Sequence, residues 1–167
     1  LQVELFYAGY SGFFKHIHEL AKGKLFSKLR VVVLNGIPEP GLINWVSPNL
    51  TVETISDFQP SELPRLIYCF DVACVNKAIE VFDEPSRLVY YCQDFEPSFQ
   101  AHGSDYIRAM RALIAVENIV ISTSLLRDYL VANNAISAKN VWVTSPDINM
   151  IRTEAAVPRR IFAYFRP

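Results

Sequence analysis

Apolar, β-rich runs recur along the chain with helix-like spacing between several of them, the alternation expected of a parallel sheet with crossover helices. The first run, residues 3 to 8 (VELFYA), leads through Gly9-Tyr10-Ser11-Gly12 to Phe13, Phe14, Ile17, Leu20 and Ala21, which share one face of a helix. The second, LRVVVLNG at residues 29 to 36, is continuously apolar, as a strand covered on both faces is. Residues 37 to 49 carry Pro38, Pro40, Gly41 and Pro48 and read as loop, and LTVETISD after them alternates like a strand nearer an edge.

A proline-bearing link, Gln59 to Pro64, precedes RLIYCF at residues 65 to 70, and Asp71 is placed to cap a helix running to about Phe82. After SRLVYYC, a helix from about Ser104 to Ala115 shows Tyr106, Met110, Leu113 and Ile114 on one side. NIVIST, a helix from Leu125 to Asn133 and VWVTS complete the set. Seven candidate strands without an internal repeat predict a doubly wound α/β domain over residues 1 to 150, with a mostly parallel, Rossmann-like sheet. Asp147 to Arg160 is polar and weakly periodic, and IFAYFRP at residues 161 to 167 reads as a fresh strand. Residues 151 to 167 are therefore expected to be a linker and the opening strand of a second domain.

Composition narrows the function. An apolar share of 51% in 167 residues supplies a core and argues against disorder. Sixteen basic against 17 acidic residues lack the footprint of a chain that neutralises many phosphates, so nucleic acid is not an expected partner. No apolar run reaches the roughly 18 to 20 residues of a membrane span, and no signal-peptide pattern opens the chain; a cytoplasmic protein is expected. Cys69, Cys74 and Cys92 lack the paired spacing that holds zinc and read as reduced core thiols. Asn49-Leu50-Thr51 matches a glycosylation triplet that, without a secretion signal, reads as coincidence.

In open parallel sheets ligands bind outside the carboxyl ends of the strands, where loops converge and helix N-termini point their unpaired N–H groups. Polar clusters stand at these ends: Gly9-Tyr10-Ser11-Gly12, Gln93-Asp94-Phe95-Glu96, Ser122-Thr123-Ser124 and Ser145-Pro146-Asp147. The glycines of the first cluster suit a close approach to an anionic ligand and equally a simple turn; their spacing is neither a dinucleotide nor a phosphate-loop fingerprint. In CQDFEP, three polar side chains at a strand end need partners, and a carboxylate there can take a proton, orient a hydroxyl or bind a metal. The other reading is helix capping and turn chemistry ahead of Pro97. His102 is a short loop away and within reach of the same space, or simply solvated.

His16 and His18, two apart on a helix, cannot share a face, which excludes a metal pair. Lys15, Lys22, Lys24, Lys28 and Arg30, with Phe13, Phe14 and Phe26 among them, read first as a solvated helix face and second as a peripheral contact with an anionic membrane.

SGFFKHIHELAKGKL, residues 11 to 25, resembles the glycine-plus-helix opening of glycosyltransferase family 4, where a Gly-Gly pair precedes a helix ending in Glu-Leu-Ala. LVYYCQDFEPSFQAHGSDY, residues 88 to 106, is similar to the segment of bacterial rhamnan-synthesis rhamnosyltransferases in which a strand ends in Gln-Asp-Tyr/Phe-Glu-Pro, then Phe, then Gly-Ser. ISTSLLRDYL, VTSPDINMIR and IFAYFRP follow in the family's order.

The resemblance implies the N-terminal, acceptor-side half of a GT-B enzyme, a C-terminal nucleotide-sugar domain of the same enzyme beyond it, and transfer of a sugar to a growing bacterial polysaccharide or glycan. It implies no cofactor, only a nucleotide-sugar co-substrate, and no bound metal; the expected place is the cytoplasm, with the inner face of the membrane as the second reading. Many members carry a histidine after the fifth strand; here Gln93 stands there with Asp94 beside it. By position Asp94 orients or activates the acceptor. Gln93, Glu96, His102 and Ser11 shape the acceptor and sugar pocket. Gly12 lies near the donor phosphates, and Arg166 neutralises the leaving diphosphate. The chain alone would hardly turn over.

Two other readings stay open. Asp94-Phe95-Glu96 is also an acid-x-acid triplet of the kind that bridges Mn²⁺ or Mg²⁺ to a diphosphate in metal-dependent GT-A glycosyltransferases. A non-catalytic α/β binding module is the third, although residues 8 to 14 lack the clustered acids of a receiver-like domain.

Overall fold

The computed structural model describes residues 30–33, 51–54, 64–101, 103–137 and 139–144, with Phe13, His16, Ile17, Glu19 and Leu20 as helical positions nearer the start. Strands β1 (Arg30–Val33) and β2 (Thr51–Thr54) pair in parallel, Arg30 beside Thr51 through Val33 beside Thr54. Strands β3 (Ile67–Cys69), β4 (Leu88–Cys92), β5 (Asn118–Ile121) and β6 (Asn140–Val143) form a four-stranded parallel sheet in that order. Helices α1 (Val72–Phe82), α2 (Ser104–Ala115) and α3 (Ser124–Ala132) make its three crossovers.

The fold is α/β with a parallel sheet, consistent with a Rossmann-like layout. Seven strands were expected; six are described, in sheets of two and four, and the predicted strands at residues 3 to 8 and 161 to 167 lie outside the described residues.

Register and side-chain alternation assign the faces. Leu88, Tyr90 and Cys92 of β4 lie level with Ile67 and Cys69 on one side and Ile119 and Ile121 on the other. These side chains form one core with Val72, Val75 and Ala78 of α1, Ala109, Ala112 and Leu113 of α2, and Leu130 of α3, so all three helices cover the same face. Tyr68 and Tyr91, at the alternate positions, point to the other face and meet Phe13 and His16.

Helix α1 begins where expected: Asp71 is extended and its carboxylate accepts from the Cys74 N–H at 2.7 Å. It ends at Asp83 in the left-handed region (φ 49°). The expected face of α2 needs correction, because Ile114 is 49% exposed while Ala109, Ala112 and Leu113 are buried. Two alanines bring this helix close to its neighbours, and Ile114, about 100° round from Leu113, is turned outward.

At the amino edge, Asn118 donates to the Ser86 and Leu88 carbonyls (3.0 and 3.1 Å) and accepts from Asn140 (2.9 Å), tying the starts of β4, β5 and β6 together. Among the described residues no helix is long and apolar enough to cross a membrane.

Candidate functional site

Because β3 to β6 are all parallel, Cys69, Cys92, Ile121 and Val143 end at one edge, and the residues after each share it. Gln93 and Asp94, both half-buried, leave β4 there. The Ser122 N–H donates to the Cys92 carbonyl (2.9 Å) and the Ser122 hydroxyl to the Gln93 carbonyl (3.0 Å). The Cys92 thiol donates to the Asp94 carbonyl at 3.3 Å. Three successive carbonyls of the departing chain are thus held, which fixes the path of the backbone that carries Asp94. Beside it, Thr123 caps α3 by accepting from the Leu126 N–H at 3.1 Å.

Beyond Asp94 the chain makes a 3₁₀ turn, Glu96–Phe99, seated on α2, with Pro97 fully buried and the Phe95 ring packed edge-on against Tyr129 (5.5 Å). The Glu96 carboxylate faces into the fold. One oxygen accepts from the Tyr90 hydroxyl at 2.5 Å and the other from the Val72 N–H, at the first residue of α1, at 3.0 Å. The Glu96 carboxyl is raised to about 7, chiefly by burial and with a push from the nearby Asp71 and Asp94, against the downward pull of these two bonds. Burial, then Cys92 and Glu96, holds the Tyr90 hydroxyl well above its ordinary range, so it stays a donor.

The residues expected to form the site are thus placed as follows. Asp94 and Gln93 stand at the carboxyl edge. Glu96 joins β4 to the N-terminus of α1, which answers to the capping alternative for this segment. Ser11, Gly12, His102 and Arg166 lie outside the described residues, as does Ser145-Pro146-Asp147. Gly103, next to His102, has φ +147°, a conformation open to glycine, and starts α2 without a side-chain cap. A metal bridged by Asp94 and Glu96 would need the Glu96 oxygens that Tyr90 and Val72 engage, and among the described residues no three His, Cys, Asp or Glu side chains are grouped to hold a metal.

On the opposite face, His16 Nδ1 and the Tyr68 hydroxyl are 2.8 Å apart, and the His16 ring meets Tyr91 edge-on at 4.8 Å. Burial and then Tyr91 raise the Tyr68 hydroxyl well above its ordinary range. Tyr91 is raised by burial and lowered by a bond with Thr144. Phe13 stacks on Tyr68 and packs edge-on against Phe70.

Sequence reasoning placed Ser122 at this edge but missed the part played by Tyr90 beneath it and the His16–Tyr68 pair on the opposite face. Tyr90 carried a usable signal: a buried tyrosine needs a partner for its hydroxyl, and an acid stands six residues on. Compared with protein-family models the chain matches none, and no curated protein matches it either.

Proposed function

We propose that the chain is the acceptor-side half of a GT-B glycosyltransferase that moves a sugar from a nucleotide-sugar donor to a growing bacterial polysaccharide or glycan, at the cytoplasmic face of the membrane. The observation that carries this reading is the placement of Gln93-Asp94 at the carboxyl end of β4, held by Ser122 from the neighbouring strand. Ligands of parallel α/β sheets gather at that edge. Asp94 takes the proton of the acceptor hydroxyl, or orients that hydroxyl, as it attacks the sugar carbon; the C–O bond to the diphosphate breaks and the bonding pair leaves with the phosphate. Gln93 contacts the sugar. Ser11, His102 and Gly12 line the acceptor and phosphate sides, and Arg166 neutralises the leaving diphosphate.

The engagement of Glu96 by Tyr90 and Val72 favours this reading over the metal-dependent one. The test is to assay the chain, in the presence of a nucleotide-sugar-binding domain of the GT-B type, against a panel of nucleotide sugars in EDTA. Transfer should persist in EDTA, and Asp94→Asn should lower it by about a hundredfold or more with the fold intact by circular dichroism. Loss of transfer in EDTA, or an undiminished Asp94→Asn enzyme, would overturn the assignment.

A further inference from the structure

Asp94 stands between two neighbours that the β5–α3 crossover holds from either side. Ahead of it, the Gln93 carbonyl accepts from the Ser122 hydroxyl at 3.0 Å and the Cys92 carbonyl from the Ser122 N–H at 2.9 Å. Behind it, the Phe95 ring meets Tyr129 edge-on, with centroids 5.5 Å apart and planes at 64°. Ser122 follows β5 directly, and Tyr129 lies on α3, whose first turn Thr123 caps through the Leu126 N–H. Both anchors therefore belong to one continuous piece of chain. Neither is needed to fill the core, because Ile121 and Leu130 beside them are fully buried, whereas Ser122 is half-buried and Tyr129 is 48% exposed. The crossover is packed by Ile121 and Leu130, and their neighbours are left to grip the loop. Within the loop itself the Cys92 thiol, a weak donor, adds a contact with the Asp94 carbonyl at 3.3 Å.

From this geometry we infer that Ser122 and Tyr129 are positioning residues, a two-point clamp by which the β5–α3 crossover aims the Asp94 carboxylate. A hydrogen bond before a residue and a ring contact after it fix the backbone on both sides, and with it the direction in which the side chain leaves. Aim matters to chemistry, since a misplacement of about 1 Å can cost on the order of a hundredfold in rate. The catalytic consequence rests on the proposed transfer reaction, whereas the clamp itself does not.

Backbone nitrogen relaxation on the full chain tests the clamp without any substrate. In the wild type the Asp94 and Phe95 amides should have order parameters of about 0.85; Ser122→Ala and Tyr129→Ala should each lower them, and the double variant should bring them below about 0.6, while Leu113 and Ile119 stay unchanged. Tyr129→Phe, which keeps the ring, should match the wild type. Unchanged order in the double variant, or loosening in Tyr129→Phe, overturns the clamp. Should Ser122→Ala fold poorly, Tyr129→Ala decides alone, because its ring lies half outside the fold. For the reaction, assayed with a nucleotide-sugar-binding domain of the GT-B type, each alanine variant should lose about tenfold or more in kcat while the donor KM stays within about twofold. In an Asp94→Asn background the same substitutions should cost nothing further, since their effect passes through that carboxylate; a loss that adds in full there overturns the positioning role. A loop that loosens as expected in a chain that transfers no sugar would leave the clamp standing and the glycosyltransferase reading overturned.

Discussion

Beneath the carboxyl edge of the sheet, the Tyr90 hydroxyl has left water and needs an acceptor, which Glu96 supplies at 2.5 Å. Tyr90→Phe removes the donor and leaves the carboxylate with one protein bond fewer. Urea unfolding should show a loss of about 1 to 2 kcal/mol. Glu96 itself makes stability pH-dependent with an uncommon sign: its folded pKa is raised, so the folded chain holds an extra proton between 4.5 and about 7. The stability of wild type minus that of Glu96→Gln should therefore fall by about 2 to 3 kcal/mol from pH 4.5 to 7 and then level, as read from unfolding midpoints across that range. At this scale the sequence was half legible. Polar residues after YYC pointed to the strand end, and Asp94 stands there. That Glu96 turns back to a backbone N–H far upstream depends on where α1 begins in space, and no local pattern encodes that.

The helices carry their punctuation locally, which is why α1 was readable from Asp71 to Phe82. An extended Asp ahead of an apolar-periodic run satisfies an N–H that would otherwise go unpaired, and Asp71→Ala should cost about 1 kcal/mol in thermal unfolding. The far end of α1 is less favourable. Asp83 is left-handed, and its negative charge lies at the negative pole of the helix. Asp83→Gly should raise stability by about 0.5 to 1 kcal/mol, seen as a higher melting temperature. The facing of α2 was legible only in part. Leu113 and Met110 turn inward as their spacing suggests, but the approach of that helix is set by Ala109 and Ala112, whose small size makes them weak signals in a hydrophobic pattern.

Across the whole molecule the parallel sheet was the most legible feature, because continuously apolar runs separated by helical spacing admit few other arrangements. Its centre is β4 and β5, where Tyr90, Cys92, Ile119 and Ile121 are fully buried. Ile119→Ala should cost about 2 to 5 kcal/mol in chemical unfolding. The same core holds the thiols protonated: burial, then Asp71, pushes Cys69 up to about 12, and burial likewise pushes Cys92 up to about 12 despite its bond with Tyr90. A disulfide reagent should label the native chain at least about a hundredfold more slowly than the chain in urea. The functional edge was harder to read than the fold, because which polar groups face one another there follows from strand order and register, and these emerge only when the sheet assembles.

Strand β6 stands last in the described order, with Trp142 51% exposed and Val141 and Val143 little better covered. Its attachment is a backbone ladder to β5 and the Asn140–Asn118 amide contact. Such a margin should detach ahead of the centre as denaturant is raised. With the second tryptophan removed by Trp45→Phe, the remaining indole serves as a built-in optical gauge: acrylamide quenching at Trp142 should rise at concentrations where circular dichroism still records the intact interior.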